Sequence, residues 1–300
     1  AARLREPHLE PPTVGDWVLC RRLGGHLFIE HTLPRRSSFL RRAAGRETRP
    51  QLVAANVDRI LVVTDAVDDF NPRRLERYLA AVRAGGAEPL IVVNKADLAR
   101  DRSQLTLHLA RVASDTPFVF TSTVEAEGLC ALEGLLHPRE TVAFTGSSGV
   151  GKSSLINRLL GDERLETGEI RASDGRGRHT TTRRELLLSP SGTILIDTPG
   201  MRELGLWEAD LDRAFPEIEQ WSESCRFRDC THTHEPGCAV REAVSRGDLD
   251  EERVESRNRL EAELESTRRR SEKHFDTKDR WKSTAKAMRA MRKLSHKHKE

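Results

Sequence analysis

The order of three short motifs along the chain constrains its fold more than any other feature of the sequence. Asn94-Lys95-Ala96-Asp97 comes first, the glycine-rich segment Gly146–Ser153 comes second, and Asp197-Thr198-Pro199-Gly200 comes last. Proteins that carry these motifs usually have the glycine-rich segment at the start and the Asn-Lys-x-Asp motif near the end. The inversion keeps every chemical part but moves the chain ends, so it predicts a circularly permuted domain.

Apolar runs that alternate with amphipathic segments predict an α/β sheet in the middle of the chain. Five runs resemble buried parallel strands: 60–64, 90–93, 118–121, 142–145 and 194–196. After the first run, Asn71 is a predicted helix N-cap, Pro72 lies in the first turn, and Gly85-Gly86 ends the helix. Leucine stripes predict two further helices, one over 129–136 and one that stops at Gly161. This alternation predicts a three-layer fold.

The segments on either side of this alternation differ from it in composition. Residues 1–50 contain short β-rich runs separated by Gly and Pro, which predict a small β-barrel. Residues 51–207 carry the three motifs, and residues 208–300 contain a Cys/His cluster followed by a charged segment of helical pattern. We therefore expect a multidomain protein with an N-terminal β domain, a central α/β domain and a C-terminal α-helical domain.

The glycine-rich segment fits the pattern G-x-x-x-x-G-K-[ST] and lies between a predicted strand and a predicted helix. Glycines let backbone N–H groups wrap phosphates, and a helix N-terminus adds a favourable dipole. We expect Lys152 to bridge the β- and γ-phosphates, and Ser153 and Asp197 to ligate Mg²⁺. Gly200 can turn its amide toward a γ-phosphate. The alternative for the segment is a glycine-rich turn without a ligand.

The Asn-Lys-x-Asp motif directly follows a predicted strand and favours guanine. The Asp97 carboxylate can accept hydrogen bonds from the ring N–H and the exocyclic amine of guanine, which adenine does not present on that edge. Adenine would leave the buried carboxylate unpaired, at a cost of roughly 1–3 kcal/mol. The Lys95 stem is expected to lie along the base, Asn94 to brace the loop, and Thr121-Ser122 to reach the base edge. The alternative for the motif is a capped helix start.

Three of the five cysteines lie close together with a histidine, in the spacing C-x4-C-x-H-x5-C. Cys225, Cys230, His232 and Cys238 supply three thiolates and one imidazole, a closed tetrahedral set typical of structural zinc. His234 is an alternative ligand to His232. The remaining two, Cys20 and Cys130, are predicted to be core thiols.

Composition narrows the location and the partners. The 300 residues are 37% hydrophobic and 32% charged, and they contain no apolar run of about 18 residues, so we expect no membrane span. The absence of a secretory signal and the cysteine pattern predict a cytoplasmic protein, and we expect a monomer. Residues 268–300 hold 13 Lys/Arg and 4 Asp/Glu, a basic tail that could neutralise RNA phosphates or be a solvated charge run.

Taken together, the motifs resemble those of the circularly permuted GTPases of small-subunit ribosome assembly, the RsgA/YjeQ group. Further matches are Ala54-Ala55-Asn56-Val57-Asp58, Gly177-Arg178-His179-Thr180-Thr181-Thr182 and the Cys/His cluster. The resemblance implies an N-terminal OB-fold barrel, a permuted GTPase core and a zinc-bearing C-terminal domain. It also implies binding to the small (30S) ribosomal subunit and its rRNA in the GTP state during late maturation, with release after hydrolysis. Residues 1–13 are short for the opening strands of such a barrel.

Hydrolysis is expected to be slow without a partner. Ras-like enzymes place a Gln after the switch glycine to orient the attacking water, and Met201 stands at that position here. His179 is the candidate that positions the water, in line with the family resemblance, with Lys152 as the second catalytic residue. A surface histidine is the alternative. One of Thr180, Thr181 and Thr182 is expected to reach Mg²⁺ and sense the γ-phosphate.

The residues predicted to contact the nucleotide are Asn94, Lys95, Asp97, Thr121, Ser122, Gly146, Ser147, Ser148, Gly149, Val150, Gly151, Lys152, Ser153, Ser154, Thr180, Thr181, Thr182, Asp197 and Gly200. Because the Asp197–Gly200 segment runs on toward the C-terminal domain, loss of the γ-phosphate is hypothesised to move that domain. The chief alternative function is a GTP-dependent switch for a non-ribosomal protein partner, and a P-loop ATPase is disfavoured by Asp97.

Overall fold

The structure, a computed structural model, describes residues 11–43, 48–113, 115–162, 165, 184–198 and 204–272. Near its N-terminus, β1 (Val18–Leu23) pairs antiparallel with β2 (His26–Thr32), and β3 (Ser38–Arg42) pairs antiparallel with β4 (Pro50–Ala55). Gly24-Gly25 joins β1 to β2 with φ of +54° and +80°, as a two-residue hairpin turn requires. The antiparallel strands agree with the predicted β domain; among the described residues they form two separate two-stranded sheets.

A six-stranded sheet, counted over the described residues, forms the central domain in the order β7-β6-β5-β8-β10-β9. Its strands are β5 (Arg59–Asp65), β6 (Glu88–Asn94), β7 (Phe118–Phe120), β8 (Thr141–Thr145), β9 (Glu185–Leu188) and β10 (Ile194–Asp197). Neighbouring strands are parallel, except that β9 pairs antiparallel with β10 at one edge. All five predicted strands are confirmed, and β9 is a further strand that the apolar runs did not indicate.

Both faces of this sheet are covered, which explains why its strands are continuous apolar runs. Along β5, Ile60 and Val62 belong to one hydrophobic cluster, together with helix residues such as Leu79. Leu61 and Val63 alternate with them and belong to a second cluster, together with Leu155 and other residues. Successive strand residues point to opposite faces, so both sets must be apolar for the sheet to be buried between two layers.

Two of the three predicted helices of the central domain, those after Asn71 and before Gly161, have the predicted ends; the one predicted over 129–136 ends at Gly134, and the helix over Arg102–Val112 was not predicted. The described helices of this domain are α1 (Pro72–Ala84), α2 (Arg102–Val112), α3 (Leu129–Gly134) and α4 (Lys152–Leu160), with a 3-10 turn over Ala96–Leu98. The Asn71 side chain accepts a hydrogen bond of 3.1 Å from the Arg74 amide, which satisfies a free N–H at the start of α1. Gly161 ends α4 with φ of +66°, a conformation that favours glycine.

The C-terminal part is helical and is attached to α1 by buried charges. Its helices are α5 (Leu211–Ala214), α6 (Pro216–Ser222), α7 (Ala239–Arg246) and α8, which is helical over 251–272. Arg253 of α8 is buried; it pairs with Glu76 of α1 at 2.8 Å and with Glu217 of α6 at 2.6 Å, and lies 4.5 Å over the Phe215 ring. A buried charge that loses its partner is strongly destabilising, so this network fixes the two parts together.

Residues 204–206 contact three parts of the molecule at once, and we call them the 204–206 junction. The Arg77 guanidinium of α1 donates to the Leu204 carbonyl at 3.1 Å, and the β3 amide of Arg42 donates to the Gly205 carbonyl at 2.8 Å. The Leu206 amide donates to Glu263 of α8 at 3.3 Å. The segment that follows the Asp-Thr-Pro-Gly motif is therefore hydrogen-bonded to the N-terminal strands, the central domain and the C-terminal helix.

The two cysteines outside the Cys/His cluster correct one prediction. Cys20 and Cys130 are both exposed, so the expectation of core thiols is wrong. Cys20 lies on the β1–β2 hairpin, and Cys130 lies in the first turn of the short helix α3, where Leu132 is the buried residue. Within the part of the chain that the structure describes, no helix combines the length and apolar character needed to span a membrane.

Candidate functional site

The carboxyl edge of the central sheet collects the three motifs. Asp65, Asn94, Thr145 and Asp197 are the last residues of β5, β6, β8 and β10. Because these four strands are parallel neighbours, their ends meet at one edge, where open α/β sheets place their ligands. The permuted chain order therefore does not separate the motifs in space.

The glycine-rich loop adopts a backbone that only glycine tolerates at several positions. Gly146, Gly149 and Gly151 have φ of +139°, +87° and +95°. A Cβ at Gly146 would lie 2.1 Å from the Val63 carbonyl oxygen of β5, so a side chain there would push the loop away from the sheet. Ser148 and Gly149 are exposed at the tip of the loop, and Val150 is buried beneath it.

Lys152, the first residue of α4, folds its side chain back over the loop. Its Nζ donates to the carbonyl oxygens of Gly146 at 3.0 Å and Ser147 at 2.5 Å. Burial lowers the pKa of this amine to about 8, although the nearby charge of Asp197 opposes the shift. An ammonium that is held by carbonyls inside a glycine-rich loop at a helix N-terminus is suited to receive a phosphate.

Asp197, at the end of β10, is a buried carboxylate next to Lys152. Asp197 is only 2% exposed, and its Oδ2 has no hydrogen-bond partner among the described residues. Burial raises the pKa of Asp197 to about 6, and the charge of Lys152 opposes this shift. A buried oxygen that lacks a partner is costly unless a ligand or a cation satisfies it.

Asn94 joins the upstream motif to the glycine-rich loop. Its Nδ2 donates to the Val150 carbonyl oxygen at 2.8 Å, and its Oδ1 accepts from the Thr121 hydroxyl at 3.2 Å. A Cβ at Gly151 would lie 2.2 Å from Asn94 Nδ2, so the absence of a side chain at Gly151 is what lets the two motifs touch. Motifs that are 56 residues apart in sequence share a direct contact.

Lys95 and Asp65 form a second charged pair at this edge. Lys95 Nζ donates to Asp65 Oδ2 at 2.8 Å, and Asp65 Oδ1 accepts from the amides of Val67, Asp68 and Asp69 at 2.9–3.1 Å. Burial alone would raise the pKa of Asp65, but Lys95 and the three amides outweigh it and lower that pKa. Lys95 has φ of +56°, so the surrounding contacts hold it in a left-handed conformation.

The Thr121-Ser122 loop lies against the Asn-Lys-Ala-Asp motif. The Ala96 amide donates to the Thr121 carbonyl at 3.0 Å, and both Thr121 and Ser122 are fully buried. Asp97 is half-buried in the 3-10 turn that begins at Ala96. The structure thus brings the motif and this loop together.

The remaining predicted site residues lie in the first turn of α4 or outside the described residues. Ser153 and Ser154 are half-buried in the first turn of α4. His179, Thr180, Thr181, Thr182 and Gly200 lie outside the residues that the structure describes, as does the basic tail from residue 273.

Sequence reasoning missed three charged residues of the site: Asp65 beside Lys95, and the Asp69–Arg74 pair beside the loop. The Arg74 guanidinium donates to both the Asp69 carboxylate and the Ser147 hydroxyl of the glycine-rich loop. Two signals could have found them. Asp65 follows an apolar run, like the other motif residues, and Arg74 is a cation in the first turn of a helix, where the helix dipole disfavours positive charge.

The Cys/His cluster is closed and compact. Its four ligand atoms lie within 4.8 Å of one another, with Cys225 Sγ 3.9 Å from Cys238 Sγ and 3.7 Å from His232 Nδ1. A tetrahedral zinc site, with Zn–S of about 2.3 Å and Zn–N of about 2.0–2.1 Å, has such separations of about 3.8 and about 3.6 Å. These residues can therefore hold a metal ion. His234 is exposed and lies outside the cluster.

The fold and the carboxyl-edge site define a P-loop GTPase whose motif order is circularly permuted. A family model described as RsgA GTPase matches residues 32–207, and one described as 50S ribosome-binding GTPase matches residues 141–279. A protein of Opitutus terrae, named small ribosomal subunit biogenesis GTPase RsgA, is 44% identical over 94% of this chain and 81% of its own length. The chain belongs to the RsgA GTPase family.

Solved structures show the same architecture. The crystal structure of YjeQ from Thermotoga maritima is similar with a TM-score of 0.62 and 27% identity, and the match covers 85% of this chain and 84% of that chain. The structure of YloQ, described as a circularly permuted GTPase, shares the fold with a TM-score of 0.60 and 24% identity over 87% of this chain and 83% of that chain. The predicted fold class and family are therefore confirmed.

Proposed function

We propose that this GTPase acts in late maturation of the small ribosomal subunit, which it binds with GTP and leaves after hydrolysis. Support for the ribosomal role comes from the relative of Opitutus terrae, whose name states that role and whose sequence is similar over almost the whole chain. We further propose that it works as a cytoplasmic monomer, with rRNA phosphates as the target of its basic tail.

One observation supports the nucleotide site more than any other: the hydrogen bond from Asn94 to the Val150 carbonyl. It fixes the Asn-Lys-Ala-Asp motif at a set distance from the loop of Lys152, so that one nucleotide can reach both. In this proposal Asp97 reads guanine, Lys95 and Thr121-Ser122 flank the base, and Lys152 receives the β- and γ-phosphates.

The residues at the phosphate end fit a magnesium ion. Asp197 Oδ2, for which the described ranges contain no hydrogen-bond partner, and the Ser153 hydroxyl would hold Mg²⁺, which when bound neutralises charge on the phosphates. Before nucleotide binds, the charge of each of these two residues, Asp197 and Lys152, reduces the pKa shift that burial causes in the other. Beyond the described residues, we assign the orientation of the attacking water to His179 and the sensing of the γ-phosphate to one of Thr180, Thr181 and Thr182.

The metal in the Cys/His cluster is proposed to be a structural zinc ion. Three thiolates and one imidazole fill all four positions of a tetrahedron, so substrate has no place to enter. Binding of zinc would stabilise a segment with few buried apolar residues, because the free energy of metal binding is then free energy of folding. His232 has φ of +59°, a strained conformation that metal ligation would compensate.

Release after hydrolysis is proposed to follow from the 204–206 junction. The junction begins seven residues after Asp197 and is hydrogen-bonded to β3 and α8 as well as to α1. A change in the Asp197–Gly200 segment on loss of the γ-phosphate would therefore reach both flanking domains.

GTP turnover, measured with and without purified small ribosomal subunits across a salt series, tests this function. We expect slow turnover alone, stimulation by small subunits, and a stimulation that declines steeply with salt because phosphate contacts release counterions. Large subunits are the matched control, because a family model described as 50S ribosome-binding also matches part of the chain. Equal stimulation by both subunits would contradict a role specific to the small subunit, and no stimulation at low salt would favour a non-ribosomal partner.

A further inference from the structure

An arginine that belongs to none of the nucleotide motifs is tied to the glycine-rich loop. Arg74 lies in the first turn of α1, and its Nη1 donates to the Ser147 hydroxyl, in the second position of the loop. The same nitrogen donates to the Asp69 carboxylate, so the guanidinium bridges an acid and the loop.

The acid that holds Arg74 is itself fixed by the sheet. The Asp69 amide donates to Asp65 Oδ1 at 2.9 Å, at the end of β5, and Asp69 Oδ2 accepts from the Thr64 hydroxyl at 3.4 Å. Strand β5 pairs directly with β8, the strand that leads into the loop. Arg74 is therefore supported from β5, the strand next to the one that leads into the loop of Ser147.

The position of this cation is unfavourable for α1 on its own. The first turn of a helix has a positive partial charge, which stabilises acidic and not basic side chains, and α1 has no acidic residue there. Asp69 offsets part of this cost. The charge of Asp69 also acts on Lys152, whose ammonium it favours, so the Asp69–Arg74 pair and Lys152 lie within one electrostatic environment.

We propose that Arg74 is a positioning residue of the nucleotide site, which holds Ser147 and thereby the phosphate-binding loop in the conformation that receives the phosphates of a guanine nucleotide. This inference rests on the proposed nucleotide site. Arg74 acts through Ser147, and Asp69 acts through Arg74. A loop that is already ordered loses less conformational entropy when the ligand binds, so the contact raises affinity without touching the base.

Binding of a fluorescent GDP analogue to the full chain tests the proposal. Arg74→Ala should weaken GDP affinity about five- to twenty-fold, the loss expected for a charge-assisted hydrogen bond that is one-third exposed to solvent. Arg73→Ala is the matched control: it lies in the same turn, but its guanidinium is 3.9 Å from Glu255 of α8, and its effect should stay below about two-fold.

Two further variants separate positioning from a general loss of structure. Asp69→Asn keeps the cation but loosens its anchor, and should weaken GDP binding in the same direction by a smaller factor. Ser147→Ala should add little to the effect of Arg74→Ala, because residues that act through one contact are not additive. Arg74→Lys should restore only part of the affinity, since its single ammonium cannot span both partners as a planar guanidinium does.

The outcomes are distinct. The proposal is overturned if Arg74→Ala binds GDP as tightly as Arg73→Ala, or if the Arg74→Ala and Ser147→Ala effects add fully. If the wild-type chain itself binds no guanine nucleotide, the proposed nucleotide site fails, and the inference fails with it. Wild-type binding, a selective loss in Arg74→Ala and non-additivity with Ser147→Ala together support it.

Discussion

The contact between Asn94 and Val150 makes a quantitative prediction about how two distant motifs form one site. In Asn94→Ala, the Val150 carbonyl loses its donor and the Thr121 hydroxyl loses its acceptor. All three groups are buried, so water does not replace the lost bonds at low cost.

The magnitude follows from these contacts. A buried acceptor without a donor costs about 1–3 kcal/mol, and a hydroxyl that loses its acceptor about 1 kcal/mol, so Asn94→Ala should lower the free energy of unfolding by about 2–4 kcal/mol. The matched control is Thr121→Val, which removes only the longer bond of 3.2 Å. It should cost about 1 kcal/mol, and the double variant should cost less than the sum.

Urea unfolding, followed by tryptophan fluorescence with and without GDP, measures these effects. The transition that GDP shifts to higher urea belongs to the GTPase domain, because a ligand stabilises the unit that binds it. In Asn94→Ala this transition should move to lower urea, and the shift caused by GDP should also shrink, since the base-reading motif is no longer held against the loop. An Asn94→Ala protein with wild-type stability and a wild-type GDP shift would refute the reasoning, as would a Thr121→Val effect of equal size.

Three further predictions concern charge, specificity and the metal. GDP affinity, measured with a fluorescent GDP analogue, should fall about seven-fold between pH 7 and about 8.8. The reason is that phosphate binds the ammonium form of Lys152, and the pKa of Lys152 before binding is about 8. An affinity that does not change with pH would contradict a buried, phosphate-binding amine. Asp97→Asn should exchange the preference for guanine for a preference for xanthine nucleotides in competition binding, since an amide can donate to a 2-oxo group; retained guanine selectivity would show that another residue reads the base. Cys238→Ala should abolish stoichiometric zinc in purified protein whereas His234→Ala should retain it, as measured by elemental analysis, and equal losses would contradict the proposed ligand set.

Much of the fold follows from local patterns in the sequence. Both ends of α1 were predictable, because an N-cap and a proline mark its start, a glycine pair marks its end, and each acts within one turn of the helix. The strands of the sheet were predictable because burial on both faces demands continuous apolar runs. Strand β9 was not, because only its antiparallel pairing with β10 defines Glu185–Leu188 as a strand, and three of its four residues are exposed.

The residues of the site also differ in whether a local sequence pattern marks them. The motif residues were recognisable because phosphate and guanine chemistry require particular residues at fixed spacing. Asp69 and Arg74 follow no such spacing, and their role depends on a contact with Ser147 across 73 residues of chain. The prediction for Cys130 failed because the helix is only six residues long and buries Leu132 instead.

The 204–206 junction has a mechanical consequence. A hydrogen bond of 2.8–3.3 Å loses most of its energy once its atoms separate by roughly 1 Å more, so such a contact is sensitive to a small displacement. Leu204, Gly205 and Leu206 each share a hydrogen bond with a different neighbour, so a displacement of this segment acts on all three bonds at once. Shifts too small to break these bonds would leave residues 204–206 attached to all three neighbours, and larger ones would release this segment while the buried Arg253–Glu76 pair still holds α8 against α1.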